Sequence, residues 1–600
     1  MPALISEREL AFLLYEFLDT KTLLERPRYA DHSREVFDAT LESARRLASD
    51  FFAPHNAKGD AHEPIFRDGT ARVIPETAAA WRAFAQAGFL SAHWDAEEGG
   101  VQLPEVVLRA AMALFFSANT ATCGYPFLTI GAANLLRAFG TKEQKQRYLP
   151  ALGSGAAAGT MALTEPGQGS ALGDIKTRAV PQPDGTYRIF GQKMFISGGD
   201  QDITDNIIHM VLARTEGAPP GAKGISLFLV PKRLVNGDGT PGRRNDVALA
   251  GLLHKMGWRN TTSTVLSFGE NGGAVGYLLG KANCGLAHMF QMMNEARIGV
   301  GLISACLAYS GFAESLGYAR ERPQGRLPSS KNPLSPQVKL VEHADVRRML
   351  IAQKAYAEAA LAMCLFASSL FEDQHTHPDQ DARADALLLL DVLTPVVKSW
   401  SARYGCLSNE MAMQVLGGAG YTREYPLEQL YRDQRLNPIH EGAEAIHGLD
   451  LLGRKVVMNG GKAFGLYCRA VAADVSLAGR HDGLQPSSDA LRGALDRLVS
   501  VTGTLTTLQR DDPDLALANA TLYLDAFGCI TAAWMWLKQS IVATRALAMA
   551  PAEEGADYYR GKLQAARYYF HWELPTAMTK LDLLHTLDRV PFDMRDAWFQ

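Results

Sequence analysis

"MALTEPGQGS", Met161 to Ser170, marks the point where the chain changes texture. Before it, segments such as "REVFDATLESARRLASDFFAP" and "PETAAAWRAFAQAGFL" carry apolar residues at helical spacing, separated by breaks such as "EEGG". After it, as far as about Leu279, the runs are alternating and β-branched: "TYRIFGQKMFISGG", "NIIHMVLART", "GISLFLVPK" and "STVLSFG". They are punctuated by the turn signals "PDG", "NGDGTPG" and "ENGG". This predicts an all-β domain in barrel or sandwich form. Helices resume near Cys284, at about 284–321, 338–372, 381–416 and 441–458, and form a second bundle. The tail, 466–600, again reads as helical. The expected fold class is multidomain α+β: an N-terminal α bundle, a middle β-barrel or sandwich, a second α bundle and an extra C-terminal α domain. The expected boundaries are 1–44 (a helical extension), 45–159, 160–282, 283–465 and 466–600. There is no internal repeat or low-complexity segment in the sequence.

Six hundred residues exceed what one core accommodates. An apolar fraction of 47% and a charged fraction of 21% are ordinary for a soluble globular chain. A net charge of −4 lacks the basic excess of a general nucleic-acid binder. Residues 466–600 hold 13 Lys and Arg against 16 Asp and Glu, which argues against phosphate-backbone binding by the tail. Seven cysteines, none spaced C-x-x-C, read as scattered thiols of a reducing compartment, with neither a disulfide framework nor a metal site. The N-terminus lacks a basic n-region and makes a poor signal peptide, so a cytoplasmic location is expected. Ile298–Ala319 is long and nearly uncharged, but Glu314 and its many Ser and Gly favour a buried helix over a membrane span.

Four motifs have chemical potential, and each has a plain structural alternative. In Met161–Ser170, Thr164, Gly167, Gly169 and Ser170 make a small hydroxyl-rich turn whose N–H groups suit a polar ring edge or phosphate; a simple Pro-Gly turn explains it as well. It is neither a P-loop nor a dinucleotide fingerprint. In "GQKMFISGG", Phe195 and Ser197 share one strand face and suit a flat heteroaromatic ring; a core Phe beside a surface Ser is the alternative. "YARERPQGR" gathers arginines where a helix ends, as an anion site or as a solvated helix terminus. "MQVLGGAGYTREYPLEQLYRDQRLNPIHEG" brings small residues before an irregular segment that ends at Glu441, a carboxylate able to cap a helix or to act as a base.

In order and spacing these motifs, with "MMNEARIGVG" and "LDLLGRKV", resemble the acyl-CoA dehydrogenase family over about residues 45–460. The N-terminal piece and the tail resemble its larger subgroup with an added C-terminal helical domain, which includes the 3-methylmercaptopropionyl-CoA dehydrogenases. The resemblance implies FAD held between the β domain and the second helical domain, and α,β-dehydrogenation of an acyl-CoA to a trans-2-enoyl-CoA in fatty acid β-oxidation. It also implies electron-transfer flavoprotein as acceptor, a homodimer or homotetramer, no nucleic-acid partner, no membrane span and no metal. Glu441 matches the catalytic base, and Gly442 leaves the backbone open beside it. Leu163, Thr164, Gly169, Ser170, Phe195 and Ser197 match flavin contacts, with Phe195 in place of a Trp and Ser197 in place of a Thr. Arg322, Gln414 and Gly418 match positions that hold the adenine half of the cofactor from a neighbouring subunit. Ser170, Asn294 and Arg297 match CoA contacts. Ala443, His447, His440 and Ala171 depart from the usual Thr, Gln, Tyr and Asp. Competing readings are 3-methylmercaptopropionyl-CoA as the specific substrate, an oxygen-using enzyme on the same fold, and a non-catalytic nucleic-acid-binding flavoprotein.

Overall fold

The computed structural model describes residues 3–550 and 552–600. The chain divides into two compact units. One comprises Phe37–Pro104 and Leu114–Ala296; the other comprises Ala3–Val36, Glu105–Ala113 and Arg297–Gln600.

In the first unit the β region is built round Tyr187–Ser197. This strand pairs with Ala274–Leu278, which pairs with Ile225–Pro231, which pairs with Asn206–Thr215. Arg178–Pro181 then joins Asn206–Thr215 back to Tyr187–Ser197 and closes a ring of five strands. Closure removes open edges, and of the two expected forms, barrel and sandwich, the sequence adopts the barrel. Ser263–Phe268 and Val247–Leu252 extend the sheet from the second half of Tyr187–Ser197. Ala157–Ala162 lies parallel to Asn206–Thr215. The first eight residues of Asn206–Thr215 are all buried, because both faces of that strand are covered. Ile189, Val211, Phe228 and Val230 fill one side; Met210, Leu212, Leu227 and Leu229 meet Leu136, Leu152, Met289 and Met292 on the other.

The purely helical reading of the first 158 residues needs one correction. Ile65–Arg67 and Thr70–Arg72 form a hairpin. Its turn is Asp68-Gly69, both at positive φ, which is the geometry that Asp-Gly favours in tight hairpins.

The second unit is all helix. Gly285–Glu321, shared between the units, continues into it. Ala344–Thr376 and Gln380–Leu416 follow as an antiparallel pair. Asp379 caps the second of these by accepting from Asp381 N–H. Close packing relies on small residues: a Cβ on Gly301 would sit 2.9 Å from the Val397 carbonyl. The long C-terminal helix Ala520–Ala548 is almost wholly buried. The N-terminal segment is pinned here by charge. Lys562, fully buried, bonds Glu9 at 2.6 Å and Glu358 at 2.9 Å, and Tyr558 donates to Glu9.

The helix expected over 441–458 is also corrected. Glu441 and Gly442 lie outside it at φ +52° and +93°, and the helix proper is Glu444–Asp450. It widens to a π turn at Leu451–Lys455, and Asn459, Gly460 and Gly461 interrupt the next helix with left-handed backbone. Among the described residues four helices are long and apolar enough to cross a membrane by length and composition; between 83% and 100% of their apolar windows is buried within the protein. All seven cysteines are free thiols.

Candidate active site

Two turns gather the residues singled out in the sequence, one in each unit.

The first turn adjoins the strand Tyr187–Ser197. Its register against Ser263–Phe268 shifts: Ile196 faces Thr264, but Lys193 faces Leu266. Met194 and Phe195 therefore oppose Val265 alone, a β-bulge. At the bulge Phe195 takes φ +59° and is 62% exposed. A bulky side chain in this conformation is strained by roughly 1–3 kcal/mol, a cost characteristic of functional positions. Met194 N–H donates to the Thr164 carbonyl at 2.9 Å and Lys193 Nζ to the Leu163 carbonyl at 2.8 Å. Leu163 and Thr164 are thereby laid beside Phe195.

Lys193 is wholly buried and also bonds Glu165 at 2.9 Å. Burial pulls its pKa down to about 8 against the opposing pull of Glu165. Glu165 accepts in addition from Thr177 N–H and Oγ and from Lys176 N–H. Burial alone would raise this carboxyl, yet Lys193 and those donors hold it below the ordinary glutamate value. The Thr164 and Ser197 hydroxyls have no partner among the described residues. Gly169 and Ser170 are exposed, and the space where a Cβ of Gly167 or Gly169 would sit is empty to 4 Å. Asn294, half-buried, lies on the helix Gly285–Glu321.

The second turn carries Glu441. Lys398, fully buried, donates to the Gly442 carbonyl at 2.6 Å. His447, fully buried one turn into the following helix, donates from Nε2 to the Glu441 carbonyl at 3.1 Å. Burial, followed by the positive charges of Arg297 and Lys398, holds His447 neutral well below its usual pKa. A Cβ on Gly442 would lie 2.9 Å from His447 Nε2, so glycine suits both the backbone angle and the neighbour. The next helix is pressed against the C-terminal helix: a Cβ on Gly448 would lie 2.7 Å from the Ala520 backbone. The extra C-terminal segment thus buttresses the Glu441 turn.

Glu441 is half-buried. The protein around its carboxyl raises its pKa above the ordinary value, against the opposing pull of Lys398 and Arg297. Its N–H makes no hydrogen bond among the described residues. Among the described residues Lys398 has no carboxylate in ion-pair contact, and burial lowers its pKa to about 7, with Glu441 and Glu444 pulling the other way. His440 is held neutral, its pKa lowered to about 3 by burial and then by Lys398. Arg297 is buried and bonds Asp450 at 2.7 Å, while its Nε has no partner.

Arg322, Gln414 and Gly418 are all exposed. Lys193, Glu165 and Lys398 are the residues that sequence reasoning passed over. Both lysines stand in otherwise apolar runs, "KMFIS" and "LTPVVKSW", and that was the available signal.

Comparison with known proteins agrees with the architecture. Residues 35–156, 160–270 and 283–456 match the models of the acyl-CoA dehydrogenase N-terminal, middle and C-terminal domains. Residues 467–595 match a model described as acetyl-CoA dehydrogenase C-terminal like. A 3-methylmercaptopropionyl-CoA dehydrogenase of Ruegeria pomeroyi is 35% identical, covering 87% of this chain and 88% of its own. A broad-specificity linear acyl-CoA dehydrogenase of Mycobacterium tuberculosis is 33% identical over 99% of both chains. The solved acyl-CoA dehydrogenase of Bacillus anthracis, complexed with FAD, shares the fold with a TM-score of 0.70 at 20% identity, covering 93% of this chain and 91% of that one. The chain belongs to the acyl-CoA dehydrogenase family of enzymes.

Proposed function

We propose that this protein is an FAD-dependent dehydrogenase that converts an acyl-CoA thioester to its trans-2-enoyl-CoA, with Glu441 as the base. The observation that carries this reading is the Glu441 turn: a carboxylate of raised pKa beside an unengaged backbone N–H, on a backbone fixed by two buried side chains.

A lone exposed glutamate is a weak base for a C–H bond. Burial beside an apolar substrate raises its proton affinity toward the working pH, which improves proton transfer. Glu441 accepts the α proton on its carboxylate. Its own N–H donates to the thioester oxygen as negative charge gathers there, and a fixed donor pays no reorganisation cost at that moment. Lys398 and His447 hold both carbonyls of the turn, so carboxylate and N–H keep their mutual geometry. Arg297 and Lys398 keep Glu441 ionised before the step.

The cofactor is FAD, and the Phe195 turn fits it. The exposed ring on the bulge offers a stacking face, the unpartnered Thr164 and Ser197 hydroxyls offer polar contacts for the ring edge, and open backbone at Gly167 and Gly169 admits a close ligand. Bound at this turn, FAD would supply the acceptor for the hydride from the substrate β carbon. Leu163 completes the ring contacts, Ser170 serves the phosphate side shared with CoA, and Asn294 and Arg297 serve CoA. The exposed Arg322, Gln414 and Gly418 serve a neighbouring subunit's FAD in a homodimer or homotetramer. Electron-transfer flavoprotein accepts the electrons, and the cytoplasm is the place of action.

Linear fatty acyl chains are the proposed substrate class, supported by a relative that matches over the full length. 3-Methylmercaptopropionyl-CoA is the second reading, supported by the relative at 35% identity. Mass analysis after incubation with each thioester and an artificial acceptor tests the function. A product two hydrogens lighter from one class is expected; unchanged thioesters throughout, in a flavin-loaded protein, overturn the reading.

A further inference from the structure

A cavity of about 780 Å³ lies in the helical unit, away from both turns. Its walls come from the helices Gly285–Glu321 and Ala344–Thr376 and from the C-terminal helix Glu553–Tyr568 with the turn after it. Four permanent cations line it, Arg347, Arg348, Lys354 and Arg567, and no carboxylate does, although the chain as a whole is acidic. Two of the four are engaged: Lys354 pairs with Glu358, and Arg348 bonds Asp345 at 2.8 Å. The other two form no ion pair among the described residues: Arg347 donates Nε to the Val341 carbonyl, and Arg567 has no carboxylate partner. Arg347 also stands near the positive end of the helix Ala344–Thr376, where the helix dipole disfavours a cation.

The rest of the wall is apolar. Leu316, Leu350 and Ile351 line the floor, and Trp572, 58% exposed, stacks on Tyr568 at 5.7 Å. Apolar walls with convergent polar groups define a small-molecule site, and the volume is in the usual range. Guanidinium forks match carboxylate and phosphate oxygens.

The geometry points to a second ligand site here for an amphiphilic anion: a carboxylate or phosphate head held by Arg347 and Arg567, with an acyl tail along Leu316, Leu350 and Ile351. The inference stands apart from the reaction at Glu441. A free acid and an anionic lipid headgroup share this chemistry, and the test separates them.

Calorimetry on the flavin-loaded protein would use decanoate, decyl phosphate and uncharged decanol, and sedimentation would use phosphatidylglycerol vesicles. One saturable site per chain for the anions is expected, absent for decanol. The double variant Arg347→Ala, Arg567→Ala weakens it at least about tenfold with turnover unchanged. Anion binding without vesicle binding identifies a soluble acid; vesicle binding lost in the variant identifies a headgroup. No saturable binding of either kind, or binding equal in the variant, overturns the site. A variant that loses binding together with its helical signal is replaced by Arg567→Lys alone, where weakened binding on an intact fold supports the site and unchanged binding overturns it.

Discussion

The turns at Phe195 and Glu441 are built alike and balanced differently. Each places a bulky residue at positive φ, and each is held by a wholly buried lysine donating to a backbone carbonyl. Lys193 has Glu165 at 2.9 Å, and that pair is closed on itself. Lys398 has no such partner among the described residues, and burial lowers its pKa, with Glu441 and Glu444 pulling the other way. The charge that answers Lys398 comes from Glu441 and Glu444 at longer range. The Phe195 turn is therefore a rigid platform, whereas the Glu441 turn couples its support electrostatically to the proposed base. In this reading a buried lysine is a structural prop when its carboxylate sits beside it and a tuning element when its carboxylate is the proposed base.

The largest expected effect comes from the proposed base. Glu441→Gln keeps FAD bound and lowers turnover by about 10³-fold, within the range of general-base losses. Turnover above a tenth of wild type would remove the base assignment. Gly442→Ala comes next. Strain at φ +93° and the clash with His447 cost about 1–3 kcal/mol, so turnover falls on the order of tenfold or more, with normal flavin content. Equal turnover would show that the turn tolerates the displacement.

Lys398→Met separates the two kinds of lysine. Proton abstraction needs ionised Glu441, so the rate falls as pH drops through that raised pKa. Lys398 lowers the pKa of Glu441; its removal moves the acid limb of the pH–rate profile upward. The difference from wild type is greatest below pH 7, where Lys398 is protonated. An unmoved limb would make Lys398 a prop like Lys193. The smallest effect belongs to the platform. Ser197→Ala removes one neutral hydrogen bond and slows flavin reduction about fivefold while leaving substrate binding unchanged. Identical reduction traces in stopped flow would contradict a ring contact at Ser197.

The α–β–α order was legible because hydrophobic periodicity changes near Met161 and again near Cys284, and periodicity is a local property. Glu441 stood out because it follows Pro438 and precedes Gly442, although the run "EGAEAIHGLD" reads as helix from its first residue. The left-handed backbone there is set by the tertiary hold of Lys398 and His447, which no local pattern encodes. The Asp68-Gly69 hairpin carried a readable turn signal that a helical context masked. The pinning of the N-terminal segment through Glu9 and Lys562 spans 553 residues and had no local trace. Lys193 shows what was recoverable: it falls in phase with buried Ile189 on its strand, so a buried charge was there to be inferred.

The central claim is best tested anaerobically, by mixing the yellow protein with acyl-CoAs of graded chain length and with 3-methylmercaptopropionyl-CoA while following flavin absorbance. The account predicts rapid bleaching by at least one member, stoichiometric with enoyl-CoA formed and abolished in Glu441→Gln. Flavin absorbance unchanged by every member, or bleaching that survives Glu441→Gln, would contradict it.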